Sequence, residues 1–350
     1  MAITRRRFIK LAGVTAIGAA ALGTGFLKRT QNIASAQAPV IGSQQVSGGT
    51  GARAKVYFTR HIDNAHLLQL YDKVNEGIVG KVGVKLHTGE KHGPNILPRT
   101  LVKALTDSLP NCAIVETNTM YPGDRYTTQG HRETLKVNGW DFCPVDILDE
   151  EGGVEFPVVG GKFLDHVTVG SHLPRYDSLI VFTHFKGHAM GGFGGSLKNI
   201  AIGCASGQKG KREVHGYLEG PMPPPSDAWM TTMPLKDDFM ERMADSGKAV
   251  VDHFGKHITF LNVLRNMSVD CDCAGTSAAP PVLPDIGMLA STDILAADQA
   301  SVDLVYNADK KLSHDLRERM ESRHGLAQLT AMKERKMGND YYELISIDDV

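Results

Sequence analysis

The sequence predicts an α/β fold: a mostly parallel sheet flanked by helices, with an inserted β-hairpin. Three observations carry this expectation. From residue 55 onward, short β-branched runs alternate with stretches whose apolar residues recur at helical spacing. The first three runs and the two helices between them make a βαβαβ succession, which calls for parallel strands covered on both faces. The pairs Gly152-Gly153 and Gly160-Gly161 then interrupt the rhythm around two strand-like runs, as a hairpin would.

Residues 55–60 read as the first strand. Asp63 is placed to cap a helix in which Leu67, Tyr71, Val74 and Ile78 share one face. Residues 81–87 form a second strand. Pro98, whose fixed φ suits a first helical turn, opens a helix through residue 109. A third strand covers 112–118 and a further helix 128–138. The hairpin pairs 154–159 with 162–169. The α/β pattern resumes with a strand at 178–183, a glycine-rich loop and a helix over 191–203. A Lys- and Pro-rich connection follows from 207 to 225, and its Pro221-Met222-Pro223-Pro224-Pro225 run cannot be helix interior and is expected as an exposed loop. Helix 236–254, strands 257–264 and 286–290, helix 293–307, two short helices and a strand at 341–347 complete the chain. No internal repeat appears.

The N-terminus reads Thr4-Arg5-Arg6-Arg7-Phe8-Ile9-Lys10, followed by an apolar stretch over 11–27 and Ala34-Ser35-Ala36. Paired arginines before a weakly apolar segment resemble a twin-arginine export signal. The stretch is about 17 residues long, the lower limit for a bilayer span, and Gly13, Gly18 and Gly23 interrupt it, so cleavage after residue 36 is expected rather than a permanent anchor. The expected organisation is a signal peptide at 1–36, a flexible lead-in at 37–54, and one α/β domain, or two tightly packed lobes, over 55–350. The expected location is periplasmic or extracytoplasmic, with the translocase as a partner. Export after folding is most useful when a prosthetic group must be inserted first.

A formal charge of -1, with 42% apolar and 22% charged residues, describes an ordinary globular chain without a bulk preference for nucleic acid. Five cysteines in 350 residues are too few for a disulfide scaffold, and their odd number leaves at least one unpaired.

The densest chemistry lies in residues 184–199, where His184, Lys186, His188, Gly192, Gly194, Gly195, Lys198 and Asn199 follow a strand and open a helix. Open α/β sheets place ligands at such strand ends. The glycines would let backbone amides approach an anion at the helix N-terminus, with Lys186 and Lys198 adding charge. The spacing fits neither a P-loop nor a dinucleotide fingerprint, and a plain glycine turn with exposed lysines is the competing reading. Histidine as a residue type titrates near working pH, which makes His184 and His188 candidates for proton transfer, with Lys186 beside them.

Cys271-Asp272-Cys273 and Cys204 form a second group. Three thiolates suit a soft metal or iron-sulfur cluster with one position left open. A disulfide from Cys204 to Cys271 or Cys273, or free thiols, remain alternatives, while Cys112 and Cys143 read as core residues. A third group, Lys85, His87, Glu90, Glu116 and Asn118, sits where the second and third strands end. Arg125 and His131 read equally well as a solvated face. Asp293 reads as a helix cap, and Asp298 on an apolar helix face invites explanation, as does Asp285 before the strand at 286–290.

Val84-Lys85-Leu86-His87-Thr88-Gly89-Glu90, the 184–199 segment, Gly203-Cys204-Ala205-Ser206 with Gly210-Lys211, Cys271-Asp272-Cys273, and Asp285-Ile286-Gly287 through Asp298-Gln299-Ala300 together resemble domain-of-unknown-function family 362, as does the ending around Gly338 and Tyr342. The likeness spans most of the chain. It implies an iron-sulfur association, and many members carry a ferredoxin-like insertion with repeated Cys-x-x-Cys spacing shortly after the position of Lys211. This chain departs there, because residues 212–234 contain no cysteine. Any cluster must then rest on Cys204, Cys271 and Cys273.

The resulting expectation is an exported, oxidoreductase-like protein that holds an iron-sulfur cluster or other soft metal and acts on a small anionic ligand, with a redox partner. The rival is a non-catalytic anion- or ligand-binding protein with a structural disulfide. A metal-dependent hydrolase built on His184, His188 and the aspartates is weaker, since no His-Glu-x-x-His spacing is present.

Overall fold

In the computed structural model, residues 53–220 and 236–348 are described. The segments expected as an export signal and, for nearly all of its length, as a lead-in, and the Pro221–Pro225 run expected as an exposed loop, lie outside them. Twelve strands are formed among the described residues: β1 (Ala54–Thr59), β2 (Val82–Lys85), β3 (Cys112–Glu116), β4 (Val145–Ile147), β5 (Gly153–Pro157), β6 (His166–Gly170), β7 (Ser178–His184), β8 (Lys186–His188), β9 (Gly192–Gly194), β10 (Ile258–Leu264), β11 (Gly287–Ser291) and β12 (Tyr342–Ser346). The helices are α1 (Asn64–Asp72), α2 (Arg99–Asp107), α3 (Thr128–Val137), α4 (Ser196–Gly203), α5 (Gly210–His215), α6 (Asp237–Phe254), α7 (Ile294–Asn307), α8 (His314–Ser322) and α9 (Ala327–Glu334).

Eight strands form one sheet in the order β12-β1-β11-β10-β7-β2-β3-β4. All run the same way except β11, which is antiparallel to both β1 and β10. The expected class is therefore correct, and the hairpin is present as antiparallel β5 and β6. The opening βαβαβ succession gives the right direction but not the right neighbours: three strands separate β1 from β2, and β1 lies between β11 and β12. Local alternation sets strand direction and burial, whereas β1's partners come from the far end of the chain, with Tyr57 opposite Ala290 on one side and Ile345 on the other.

The period-two alternation of the central strands divides the core. Ile180 and Phe182 of β7 face α1 and α2, packing with Leu67, Leu70, Val102 and Leu105. Leu179 and Val181 face the opposite layer with Leu197 of α4, Met243 of α6 and Ala297 of α7. Each fully buried aliphatic of this kind contributes on the order of 1.5–3 kcal/mol. Asp63 caps α1 by accepting from the His66 amide at 3.0 Å, and Pro98 precedes α2.

The helix expected over 191–203 begins only at Ser196. Residues 186–194 instead fold back as the small antiparallel pair β8 and β9. Gly192 turns there with φ of 76°, and a Cβ on it would stand 2.7 Å from the Gly325 Cα. The glycine run thus serves a tight reversal pressed against another chain segment. β2, β3 and β7 are neighbours and end together at Lys85, Glu116 and His184, so their terminal side chains meet at one sheet edge.

Candidate functional site

At that edge lies a cavity of about 310 Å3. The strand ends supply Lys85, Glu116 and His184; the β8–β9 turn supplies Lys186 and His188; α4 supplies Lys198 and Asn199; α5 supplies Lys211 and His215. A short 3-10 turn after β10, Asp272–Ser277, brings Cys273 to the wall. Met120, Tyr121, Met190 and Ile202 complete an apolar lining.

Three of the cations, Lys85, Arg125 and Lys186, are held in pairs with carboxylates. Lys85 Nζ donates to the Leu86 carbonyl at 2.9 Å and to Asn199 Oδ1 at 3.1 Å, and stands 3.4 Å from Glu116. Asn199 is fixed in turn by donating to the Lys85 and Phe182 carbonyls and to Thr183 Oγ1. Arg125 reaches Glu90 at 2.7 Å and Glu116 at 3.6 Å. Burial would raise the Glu116 carboxyl, but Lys85 and Arg125 override it and hold it well below the usual carboxylate range. Asp272 has the same balance, with burial opposed by His184 and Lys186, whose Nζ lies 3.0 Å away. Arg125 and His131 are therefore not a solvated face: both are buried.

His188, Cys271 and Cys273 present one nitrogen and two sulfurs that all lie within 4.8 Å of one another, a set able to hold a metal ion. Two thiolates and an imidazole are the donors soft metals prefer, and one of the sets found around catalytic zinc. Burial keeps His188 neutral, well below its ordinary pKa. Its Nδ1 accepts from the Met190 and Gly191 amides at 3.2 and 2.9 Å, which fixes the ring. The Cys271 thiol is lowered, first by a hydrogen bond from Cys273, then against burial by Lys198 and Lys186 and by a bond from His87. His87 Nδ1 accepts from the Gly89 amide at 2.9 Å, which leaves Nε2 as the ring's donor. The same hydrogen bond and burial raise the Cys273 thiol, so Cys271 is the readier of the two to ionise.

Several expected residues fall elsewhere. Cys204 is absent from the metal-capable group: it ends α4 within the hydrophobic core, where burial pushes its thiol up to about 12. All five cysteines are unpaired, so no disulfide joins Cys204 to Cys271 or Cys273. Both ring nitrogens of His184 are engaged, Nδ1 with Asp272 at 2.9 Å and Nε2 with the Arg265 carbonyl at 2.7 Å. It positions Asp272 rather than facing a ligand. Glu90 lies behind the wall as the partner of Arg125, and Gly192 serves the turn.

The backbone anion site expected at the α4 N-terminus is filled by the chain itself. Asp298 of α7 accepts from the Ser196 and Leu197 amides at 2.7 and 2.9 Å, and a Cβ on Gly195 would come within 2.5 Å of its carboxylate. Burial raises Asp298 to about 6, even against those amide bonds. Gly194 keeps its place beside the ligand space, flanked by the stems of Lys186 and Lys198. Asp293 caps α7 through the Ala296 amide, and Asp285 accepts from the Asn266 amide outside the cavity. Sequence reasoning missed His215 as a wall residue. Lys211 and His215 stand four apart on α5 and share a face, the signal that points to them.

Residues 82–303 match the family described as Domain of unknown function (DUF362). The chain belongs to that family. Every cavity residue named above lies within the DUF362 segment. No curated protein matches the chain. Among solved structures, it is similar to the lactate racemase apoprotein from Thermoanaerobacterium thermosaccharolyticum, at 11% identity and a TM-score of 0.41, over 73% of this chain and 57% of that one. It is also similar to a Thermotoga maritima protein, at 11% identity and a TM-score of 0.35, over 79% and 60%. The chain spans less than two thirds of the length of either.

Proposed function

We propose that this DUF362 protein is a soft-metal-dependent enzyme of oxidoreductase type acting on a small anionic substrate, exported after the metal is loaded. The observation that carries the reading is the convergence of His188, Cys271 and Cys273 beside a cavity walled by Lys85, Lys186, Lys198 and Lys211. Two cysteines and one histidine suit a single ion better than a cluster, for which four cysteines are the usual ligands. A bound ion of this kind supplies Lewis acidity or an electron, and three protein ligands leave a position for substrate or water. The chain's own groups prepare for it: the lysines and His87 stabilise thiolate character at Cys271, and the amides of Met190 and Gly191 orient His188. Met120, Met190 and Ile202 exclude water and strengthen the charges around them. The paired arginines at Arg5 to Arg7 support export of a folded, loaded protein.

Metal analysis and electron paramagnetic resonance on full-length protein purified anaerobically from the cytoplasm test this. About one equivalent of metal is expected, lost in Cys271→Ser, Cys273→Ser and His188→Ala and kept in Cys204→Ala. Metal-free protein, or a Cys204→Ala variant that alone loses the ion, overturns the reading.

A further inference from the structure

Five cationic side chains line the cavity, and carboxylates answer only three of them. Lys85 has Glu116, Arg125 has Glu90 and Glu116, and Lys186 has Asp272. Lys211 is buried, yet its Nζ meets only neutral oxygens: Thr117 Oγ1 at 2.6 Å, the Thr117 carbonyl at 3.4 Å, and the Asn118 carbonyl. The nearest carboxylates, Asp149 and Glu116, act on it from beyond contact, and the Asp149 oxygens accept from the Asn118 and Gly207 amides instead. Lys198 makes no hydrogen bond or carboxylate pair among the described residues, and the sulfurs of Cys271 and Cys273 are its neighbours. On the reading proposed above, a divalent ion takes up the charge of the two sulfurs, and Lys198 is then without an anion.

The two lysines have different neighbours, with His215 within reach of both. Lys198 lies with Lys186 against Gly194, on the side of Cys271 and Cys273. Lys211 is tied to the chain leaving β3, on the side of Cys204 and Glu116. The rest of the lining includes Met120, Met190 and Ile202. A buried ammonium without a counter-ion is held at a desolvation penalty, which a matching anion relieves. We infer that the ligand is a two-headed dianion, a short dicarboxylate with an apolar spacer, one carboxylate on Lys198 beside the metal-capable group and the other on Lys211. This rests on the metal-dependent reading for the state of Lys198.

Calorimetric titration of full-length protein with succinate, propionate and inorganic phosphate tests it, with metal content measured on the same samples. Succinate is expected to bind at least about tenfold more tightly than propionate, and Lys198→Met or Lys211→Met to erase that margin. Lys198 is only half-buried, so its variant remains informative if Lys211→Met fails to fold. Equal binding of succinate and propionate by metal-loaded protein, or a folded variant that keeps the margin, overturns the inference while leaving the metal reading intact. Phosphate outranking succinate overturns it too, since one head would then satisfy both charges. A succinate preference in metal-free protein sinks the metal reading instead and leaves the dicarboxylate site standing.

Discussion

Gly203 admits Lys85 to the buried edge of the sheet. A Cβ there would stand 2.3 Å from Lys85 Cε and 2.4 Å from Nζ, and the ammonium has no spare room, being bonded to Leu86, Asn199 and Glu116. Gly203→Ala should displace it and strip Glu116 of one counter-charge, lowering unfolding free energy in urea by about 3 kcal/mol. An unchanged midpoint would show that Lys85 relocates freely. Asp298 gives a pH signature of the opposite sign to an ordinary ion-paired carboxylate. Its folded pKa is raised from 3.8 to about 6, so its contribution is fully present below 3.8 and is lost as pH rises through 6. The stability of wild type relative to Asp298→Asn should therefore fall between pH 4 and 6, by on the order of 3 kcal/mol. Glu116 and Asp272, held below their ordinary values of 4.5 and 3.8, act in reverse, and stability from them is lost as pH falls below that range. Lys85, Glu116 and Lys186 were legible because polar side chains at the ends of β-branched runs announce a sheet edge. The Asp298 cap was not, since its amide partner is 102 residues away in sequence and no local pattern connects them.

The β8–β9 turn is the element on which the site depends most, because it carries Lys186 and His188 on a reversal only glycine permits. Gly192→Ala would meet both a left-handed φ of 76° and the Gly325 backbone. The expected result is a loss of roughly 1–3 kcal/mol and, if metal binds here, weaker retention of it, read by dialysis against a chelator. Full stability and full metal content would mean the turn is more forgiving than its geometry. A glycine-rich stretch before a helix looks alike in sequence whether it cradles a ligand or folds back on itself, so no local pattern separates this reversal from a helix start.

Across the whole molecule, the first and last strands lie side by side, with β12 at the sheet edge parallel to β1 and Ile347 donating to the Phe58 carbonyl at 2.9 Å. Removing β12 should uncover β1 as a new edge, lower the thermal midpoint and promote association, visible as a shift to higher mass in light scattering. A monomeric truncation with an unchanged midpoint would show β12 to be an ornament of the sheet. Strand direction and the two-layer burial followed from alternation in the sequence, whereas the order of strands depends on pairings between distant segments.

The carboxylate of Asp298 stands in for an anion that the start of α4 would otherwise attract, which makes the place open to chemical rescue. In Asp298→Ala the Ser196 and Leu197 amides would face a void of carboxylate size beside Gly195. Formate or acetate in the buffer should restore part of the lost stability in a concentration-dependent way, while chloride-matched controls do not.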